Sequence, residues 1–410
     1  MSFSNPNLQF VRERRFNTSP LLAEEAAEES QELLDGNQLS LIIKGQGVVI
    51  FKAATAFTQD TNLTVAFHNN LQSASLALKL GVGSIVLTKN GKLLAEQKHS
   101  GLTTNDRAFY WISLDSQNHC IRFGVGEARL ETQTFVYQFS PDTSIKKFLE
   151  SLEYFNFDNN LVAILRALRD PILNNVPLTV KNTDELTMDM IATSAVMPKA
   201  NLSTVAQKLY DNIAGKKFTL NTTDFPDFAE AIEYSIATPG CWCYEKLKSK
   251  AGEFGEANPK KVYLRITLGQ NGGESPGIPY VMEIWPPGCY SPIHNHAGAN
   301  AVIRVLHGQI NVRLFPYLGI EEPFGNATFS EEDITWISPT LNQFHKLQNP
   351  NEQGPTCITI QCYMYDENDL GHYDYFDYIA DDDEIKQYEP DSDMDFVAFK
   401  NLIRKEWAEK

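Results

Sequence analysis

The segment Gly288-Cys-Tyr-Ser-Pro-Ile-His294-Asn-His296 decides how the C-terminal third of this sequence is interpreted. Side chains alternate between the two faces of a β-strand, so two histidines separated by one residue project from the same face. On the inner face of a barrel, two neutral imidazoles so placed can share one metal ion, and imidazole suits Fe, Zn, Cu or Ni. We therefore predict a metal site here. The ordinary alternative is a pair of surface or core histidines.

A third ligand must come from a distant part of the chain. The best candidate is His345, in the segment Phe344-His345-Lys346. Strand periodicity extends from Val262 to about Tyr365, and Gly308-Gln309 predicts a turn between two of those strands. The sequence thus predicts a β-barrel in which His294, His296 and His345 bind one metal ion.

This spacing resembles the first sequence motif of the cupin superfamily. That motif has a Gly, five residues, His-x-His, four residues, an acid, six residues and a Gly. The chain matches it at Gly288, His294, His296 and Gly308, but Ala301 stands where cupins usually carry a metal-binding Glu. The loss of that Glu leaves three neutral imidazoles. A bound iron(II) then keeps its full charge, favours an anionic ligand such as a thiolate, and has three positions open for a bidentate substrate and dioxygen.

The second cupin motif is matched only in part. His345 and Asn349 reproduce its ending, and Pro339 also fits. The two glycines of the motif are replaced by Asp333 and Leu341.

Over residues 217–377 the chain resembles the cysteine dioxygenase family. The stretches that carry this resemblance are Tyr263-Leu-Arg265, Ile284-Trp285, Ile293-His-Asn-His296, Ile337 to Asn349, and Ile358-Thr-Ile-Gln-Cys-Tyr363. The resemblance implies a jelly-roll barrel preceded by helices. It also implies Fe(II)-dependent oxidation of L-cysteine by O2 to cysteine sulfinic acid, a reaction of cysteine metabolism and taurine biosynthesis.

The resemblance implies roles for several side chains. Arg265 would bind the substrate carboxylate, for which a guanidinium fork is well shaped. Tyr263 and Tyr363 would line the pocket, with the Tyr363 hydroxyl offered to substrate or oxygen, and Trp285 would pack behind the metal. Each residue also has an ordinary explanation. Arg265 can form an ion pair within a strand, and the aromatic residues can belong to the core.

Two departures from the family keep other functions open. Gln361 stands where the family has an outer-sphere His, and Thr359 where it has a Ser. Gln361 can hydrogen-bond Tyr363 but cannot change protonation near neutral pH. We therefore also consider a dioxygenase of another small thiol, either a mercapto-acid or a cysteamine-like compound. A third hypothesis is a non-catalytic metal-binding cupin that acts as a sensor or scaffold.

The N-terminal part predicts a separate β-module. Residues 1–38 form a polar, acidic extension, read as a short helix or a solvated tail. Residues 39–140 show short alternating runs, with a hairpin signal at Asn90-Gly91, and predict a β-sandwich or jelly roll. This region is similar to the jelly-roll module named for farnesoic acid O-methyltransferase. We interpret it as a structural or binding module for an unknown ligand or protein partner.

Longer periods predict helices elsewhere. Residues 141–216 are predicted to form a helical linker, with Asp142 or Thr143 capping its first helix. Helices near Phe228 to Tyr234 and Trp242 to Leu247 precede the barrel, and the acidic tail 378–410 ends in a possible helix near Phe396 to Trp407.

Composition narrows the function classes. The chain has 410 residues and a formal net charge of −17, which argues against unaided binding to nucleic acid or anionic membranes. No apolar run approaches the roughly 18 residues of a membrane span, and no secretory signal is expected at the N-terminus. The six cysteines show neither a disulfide framework nor zinc-finger spacing. We therefore expect a cytoplasmic protein.

Overall fold

The computed structural model describes residues 34–269, 280–365 and 375–410. The described residues up to Val176 form one compact unit, and those from Pro177 onward form a second. Residues 1–33 lie outside the described ranges, so the choice between helix and tail stays a prediction there.

Two antiparallel sheets build the N-terminal unit. Its strands are β1 (Leu34–Asp35), β2 (Gln38–Ser40), β3 (Gln46–Ala53), β4 (Asn62–His68), β5 (Ser75–Gly81), β6 (Ser84–Lys89), β7 (Lys92–Lys98), β8 (Phe109–Asp115), β9 (Cys120–Val125), β10 (Gln133–Gln138), β11 (Tyr154–Asn156) and β12 (Val162–Leu168). The order is β1-β2-β11-β4-β5-β6-β7 in the seven-stranded sheet and β10-β9-β8-β3-β12 in the five-stranded sheet. The predicted mainly β fold class is confirmed.

The hairpin predicted at Asn90-Gly91 joins β6 to β7. Lys89 pairs with Lys92 across the turn, and the φ angles are +48° at Asn90 and +75° at Gly91. A two-residue turn with both φ angles positive twists in the same sense as the flanking strands. The prediction is therefore confirmed together with its physical reason.

The structure differs from the expected helical linker over part of 141–216. Helix α1 (Thr143–Glu150) begins as predicted, with the Asp142 carboxylate accepting from the backbone N–H groups of Ser144 and Ile145. Strands β11 and β12 follow, however, and pair with β4 and β3. The apolar run of β12 fits a buried helix or a strand equally well, and only its distant partner strand decides between them.

The remaining helices lie in the C-terminal unit. They are α2 (Met188–Ala192), α3 (Thr204–Ile213), α4 (Phe228–Ala237), α5 (Trp242–Ser249) and α6 (Phe396–Ala408). The predicted helices near Phe228, Trp242 and Phe396 are all found, and α3 lies within the predicted helical linker. None of the helices in the described ranges is long and apolar enough to cross a membrane.

A second set of strands surrounds the predicted metal site. These are β13 (Val180–Lys181), β14 (Met197–Pro198), β15 (Leu264–Leu268), β16 (Tyr280–Trp285), β17 (Asn300–His307), β18 (Gln309–Leu314), β19 (Gly325–Ser330), β20 (Ile334–Ile337), β21 (His345–Gln348), β22 (Cys357–Met364), β23 (Phe376–Ile379), β24 (Ile385–Tyr388) and β25 (Met394–Asp395). One sheet has the order β20-β17-β22-β16-β15-β25. The others are β19-β18-β21, β23-β24 and β13-β14.

The edge of the six-stranded sheet is formed by the C-terminal tail. Strand β25 pairs in parallel with β15, and the backbone N–H of Asp393 donates to the carbonyl of Arg265 at 2.8 Å. In return, the Asp393 carboxylate accepts from the backbone N–H of Arg265 at 2.8 Å. Part of the predicted tail, Met394 and Asp395, therefore belongs to the sheet that contains Arg265.

The His-x-His segment does not form a regular strand, which corrects the sequence prediction. His294 makes isolated bridges to His345 and to Tyr378, so the segment fills the space between β21 and β23. Its backbone is extended because His294 and His345 exchange two hydrogen bonds, of 3.0 and 3.1 Å. The predicted turn at Gly308 is present with a φ of +70°, and a Cβ there would lie 2.6 Å from the Thr356 carbonyl oxygen.

Candidate metal centre

His294, His296 and His345 come together inside the C-terminal unit. One ring nitrogen from each lies within 4.8 Å of the others. His296 and His345 are only 3% and 1% exposed. This buried cluster of three histidines could hold a metal ion.

The imidazole orientations fit such an ion. Nδ1 of His294 lies 3.1 Å from the Pro292 carbonyl oxygen, and Nδ1 of His345 lies 2.9 Å from that of Asn342. An Nδ1–H donated to a carbonyl leaves Nε2 with a free lone pair. Nε2 of His296 and Nε2 of His345 are 3.2 Å apart. Two nitrogens that each bind one ion at about 2.0–2.1 Å are themselves about 3.0–3.4 Å apart.

Burial keeps the three imidazoles neutral. It lowers the pKa of His294 to about 3, and the neighbouring His345 adds to this effect. Burial also lowers the pKa of His345 to about 4 and that of His296 well below its usual value. Because metal binding requires the unprotonated ring, the cluster is ready to bind a cation at neutral pH.

Ala301 contributes only apolar surface. It is fully buried in β17, opposite Tyr363 and Ile337 on the neighbouring strands. With Val281 and Ile303 it packs into a small hydrophobic cluster. The position at which cupins usually carry a Glu therefore holds no acidic ligand in this chain.

One cavity brings two of the histidines together with several other predicted site residues. It is lined by Phe254, Tyr263, Arg265, Glu283, Trp285, Pro292, His294, His296, Leu347, Gln361, Phe376, Tyr378 and Tyr388. Tyr263 and Trp285 stack with their ring centroids 4.2 Å apart. His345 borders a second, mostly apolar cavity, with Leu347 common to both.

Arg265 is paired with an acid that the sequence reasoning missed. Its Nη1 donates to Oε1 of Glu283 at 2.6 Å, and both side chains are buried. The two residues face each other on β15 and β16. Burial lowers the pKa of the Arg265 guanidinium, but Glu283 and the neighbouring tyrosines together outweigh this effect and raise the pKa above its usual value. Strand pairing was the only signal that could have revealed this partner.

Gln361, Thr359 and Tyr363 continue the hydrogen-bond network along β22. Gln361 Nε2 donates to Glu283 Oε2 and lies 3.4 Å from the Thr359 hydroxyl, while the Tyr363 hydroxyl donates to Gln361 Oε1. The Tyr363 ring stacks on His296 with centroids 5.1 Å apart. Burial raises the pKa of Tyr363 well above its usual value, so its hydroxyl stays protonated.

Two other residues hold the histidine segment in place. The side chain of Gln343 accepts from the backbone N–H of His296 at 3.3 Å and donates to the carbonyls of Ala299 and Ser338. Asn349, noted only as a motif position, donates to the Trp285 carbonyl at 3.0 Å. Its place in the motif is explained by this support of the cavity wall.

Solved cupin structures are similar to part of this chain. A cupin domain from Schizosaccharomyces pombe is 12% identical, with 25% of this chain and 65% of that chain covered and a TM-score of 0.21. A cupin 2 domain-containing protein from Halorhodospira halophila is 16% identical, over 37% of this chain and 84% of that one, with a TM-score of 0.20. An oxalate oxidase solved with the substrate analogue glycolate is 15% identical, over 28% and 55%, with a TM-score of 0.22.

No protein-family model matches the sequence. The identities and TM-scores above carry no functional argument. The structure itself shows a β-rich C-terminal unit in which three histidines converge. The finer resemblances, to cysteine dioxygenases and to the farnesoic acid O-methyltransferase module, stay predictions.

Proposed function

We propose that the C-terminal unit is an Fe(II)-dependent thiol dioxygenase and that L-cysteine is the first substrate to test. One observation carries the proposal: three neutral imidazoles meet beside a cavity, while Ala301 leaves the usual acidic position empty of charge. A cation held by neutral ligands alone keeps its full charge and favours a thiolate. The resemblance to cysteine dioxygenases points to the same chemistry.

The proposed reaction is balanced by dioxygen alone. A thiol RSH combines with O2 to give the sulfinic acid RSO2H, so the sulfur loses four electrons and both oxygen atoms enter the product. Iron(II), bound by His294, His296 and His345, would supply the redox activity that no protein side chain offers.

The protein's own residues would position the thiol and keep water out. Tyr363 would help to orient the site from beside His296, on which its ring stacks, while its hydroxyl donates to Gln361. The stacked rings of Tyr263 and Trp285 form an apolar wall of the cavity. Such a wall strengthens electrostatic interactions with a bound thiolate because it lowers the local dielectric constant.

A second candidate substrate is another small thiol. Arg265 is the reason to choose L-cysteine, but its guanidinium already pairs with Glu283 at 2.6 Å. That pair favours a thiol whose recognition does not depend on a carboxylate. The cytoplasmic location and a ligand-binding or partner-binding role for the N-terminal unit are proposed on the sequence alone.

The decisive experiment loads the full chain with iron(II) without oxygen and then supplies O2 with L-cysteine. Oxygen uptake and sulfinate are measured in the same sample. We expect one sulfinate per O2 consumed, and no product from protein loaded with redox-inactive Zn(II). A panel that includes cysteamine and 3-mercaptopropionate identifies the preferred thiol. If iron is bound and no thiol is oxidised, the enzyme proposal fails and a non-catalytic cupin remains.

A further inference from the structure

The Glu283 carboxylate already binds the guanidinium of Arg265, which a substrate carboxylate would need. Its Oε1 accepts from Arg265 Nη1 at 2.6 Å, and the two residues are 3% and 5% exposed. A buried, charge-assisted pair at this distance is a strong interaction. In this chain, therefore, the protein itself supplies the carboxylate that binds Arg265.

Both oxygens of Glu283 are engaged. Oε2 accepts from the side-chain amide of Gln361, whose own oxygen accepts from the Tyr363 hydroxyl. Arg265 donates from one side, and Tyr363 donates through Gln361 from the other, so both lines of hydrogen bonds end on the Glu283 carboxylate. Turning Glu283 away from Arg265 would break the contacts on both of its oxygens, so the pair resists opening for an incoming anion.

The cavity also lacks a spare cation for a second carboxylate. Among its lining residues in the described ranges, Arg265 and Glu283 are the only Arg, Lys, Asp or Glu side chains, and their charges cancel. Lys250 approaches the ring of Tyr263 at 5.7 Å, but its ammonium is bound by Asp393 at 3.0 Å and Glu253 at 3.3 Å. Apart from the metal ion, no cation among these lining residues would offset the repulsion between a substrate carboxylate and Glu283.

We propose that this site takes a small thiol that carries no free carboxylate, and that Glu283 is the residue that sets this specificity. The inference rests on the proposed thiol chemistry and deepens it. Nε of Arg265 is buried without a hydrogen-bond partner among the described residues. It remains available to a neutral acceptor, such as an amide or hydroxyl oxygen of the substrate.

The test measures thiol binding without turnover. Co(II)-loaded full-length protein is titrated without oxygen, and the thiolate-to-cobalt charge-transfer absorption reports binding. Two matched pairs differ only in the carboxylate: L-cysteine with L-cysteinamide, and 3-mercaptopropionate with 3-mercaptopropionamide. We expect the amide of each pair to bind at least about tenfold more tightly, because an uncompensated buried charge is costly. Equal or tighter binding of the carboxylates overturns the inference.

The variant Glu283→Gln releases Arg265 while it keeps the size of the side chain. We expect the Kd of both carboxylate thiols to fall at least about tenfold, and the Kd of both amides to stay within about threefold. Adding Arg265→Met to Glu283→Gln should remove that gain. An unchanged amide-to-carboxylate ratio in Glu283→Gln contradicts the role of Glu283. If the variant does not fold, the wild-type ratio alone decides.

A separate outcome distinguishes the two proposals. If cobalt is bound, as shown by elemental analysis, and no thiol of the panel produces the charge-transfer band, the thiol chemistry itself is wrong. The inference then falls with it. If thiols bind and the carboxylates are preferred, only the inference is wrong.

Discussion

Each of the two units buries an arginine against glutamate, but only one of these pairs borders a described cavity. In the N-terminal unit, Arg129 lies 3.0 Å from Glu131 and 3.5 Å from Glu127, and its Nη2 donates to the Val176 carbonyl at 3.0 Å. In the C-terminal unit, Arg265 pairs with Glu283 at the wall of the cavity beside the histidines. The Arg129 guanidinium binds the backbone carbonyl of Val176, whereas the Arg265 guanidinium lines a cavity that also contains His294 and His296.

A buried ion pair therefore does not by itself indicate a functional site. Both pairs use the same chemistry and are nearly free of solvent, with Arg129 at 2% and Arg265 at 5% exposure. What distinguishes them is the neighbourhood, since three converging imidazoles lie beside only one of them. Four predictions test this difference, beginning with the largest expected effect.

Histidine substitutions should give the largest difference between the two units, and the property that differs is metal affinity. His345→Ala removes one of three ligands. Loss of a residue that only hydrogen-bonds a ligand typically lowers metal affinity by about 10–100-fold, so the loss of a ligand itself should lower the affinity for a divalent metal by more. His68→Ala is the matched control, because His68 is also buried, at 5% exposure, but lies in the N-terminal unit and stacks on Tyr154. Metal content after dialysis measures both. Equal metal loss in the two variants would contradict the assigned site.

The N-terminal pair should matter for stability alone. Arg129→Ala takes an ion-pair partner from the fully buried Glu127 and should lower the free energy of unfolding by about 3–5 kcal/mol. Metal binding by the C-terminal unit should not change. Arg169→Ala is the control, because the pair with Asp170 is exposed and its loss should leave denaturant unfolding unchanged. A change in metal affinity in Arg129→Ala would show that the units are not independent.

Backbone packing gives a third contrast. A Cβ at Gly124 would overlap the indole ring of Trp111, and Trp111 is completely buried. Gly124→Ala should therefore destabilise the N-terminal unit by about 1–3 kcal/mol, the usual cost of overpacking. Gly215→Ala, in the C-terminal unit, has nothing within 4 Å of the added carbon and serves as the control. The midpoint of thermal unfolding is measured for both variants, and an equal midpoint in the two would contradict the packing argument.

The smallest expected effect concerns two aspartates, the half-buried Asp377 and the buried Asp115. Burial raises the pKa of Asp377 from 3.8 to about 6, although Asn295 opposes the shift. The folded state therefore binds more protons than the unfolded state between these values, and stability falls as the pH rises through that window. Asp377→Asn should stabilise by about 1 kcal/mol at pH 8, because partial exposure reduces the full effect, and by nothing below pH 3.8.

Asp115 in the N-terminal unit is the matched control for this variant. Its carboxylate is also buried but accepts from the backbone N–H groups of Gln117 and Asn118 and from the Asn118 side chain. Asp115→Asn should therefore destabilise at pH 8. Unfolding measured at several pH values would contradict the argument if both variants changed stability in the same direction.

Local patterns predicted much of the fold. The hairpin at Asn90-Gly91, the helix capped by Asp142 and the three histidines all follow from residues close in sequence or from a known motif spacing. The partner of Arg265 did not, because Glu283 meets it only through the pairing of β15 with β16. The strand β12 was missed for the same reason, because pairing with a distant strand decides whether an apolar run forms a strand or a helix.

The parallel pairing of β15 with β25 has a consequence for the order in which the chain folds during synthesis. Strand β15 spans Leu264–Leu268, whereas its partner β25 lies much further along the chain, at Met394–Asp395. On the ribosome the N-terminal unit emerges first and can complete its sheets while the other unit is still being made. Until β25 emerges, β15 has an open edge that can pair with another nascent chain. Deletion of β25 should therefore expose this edge and promote aggregation.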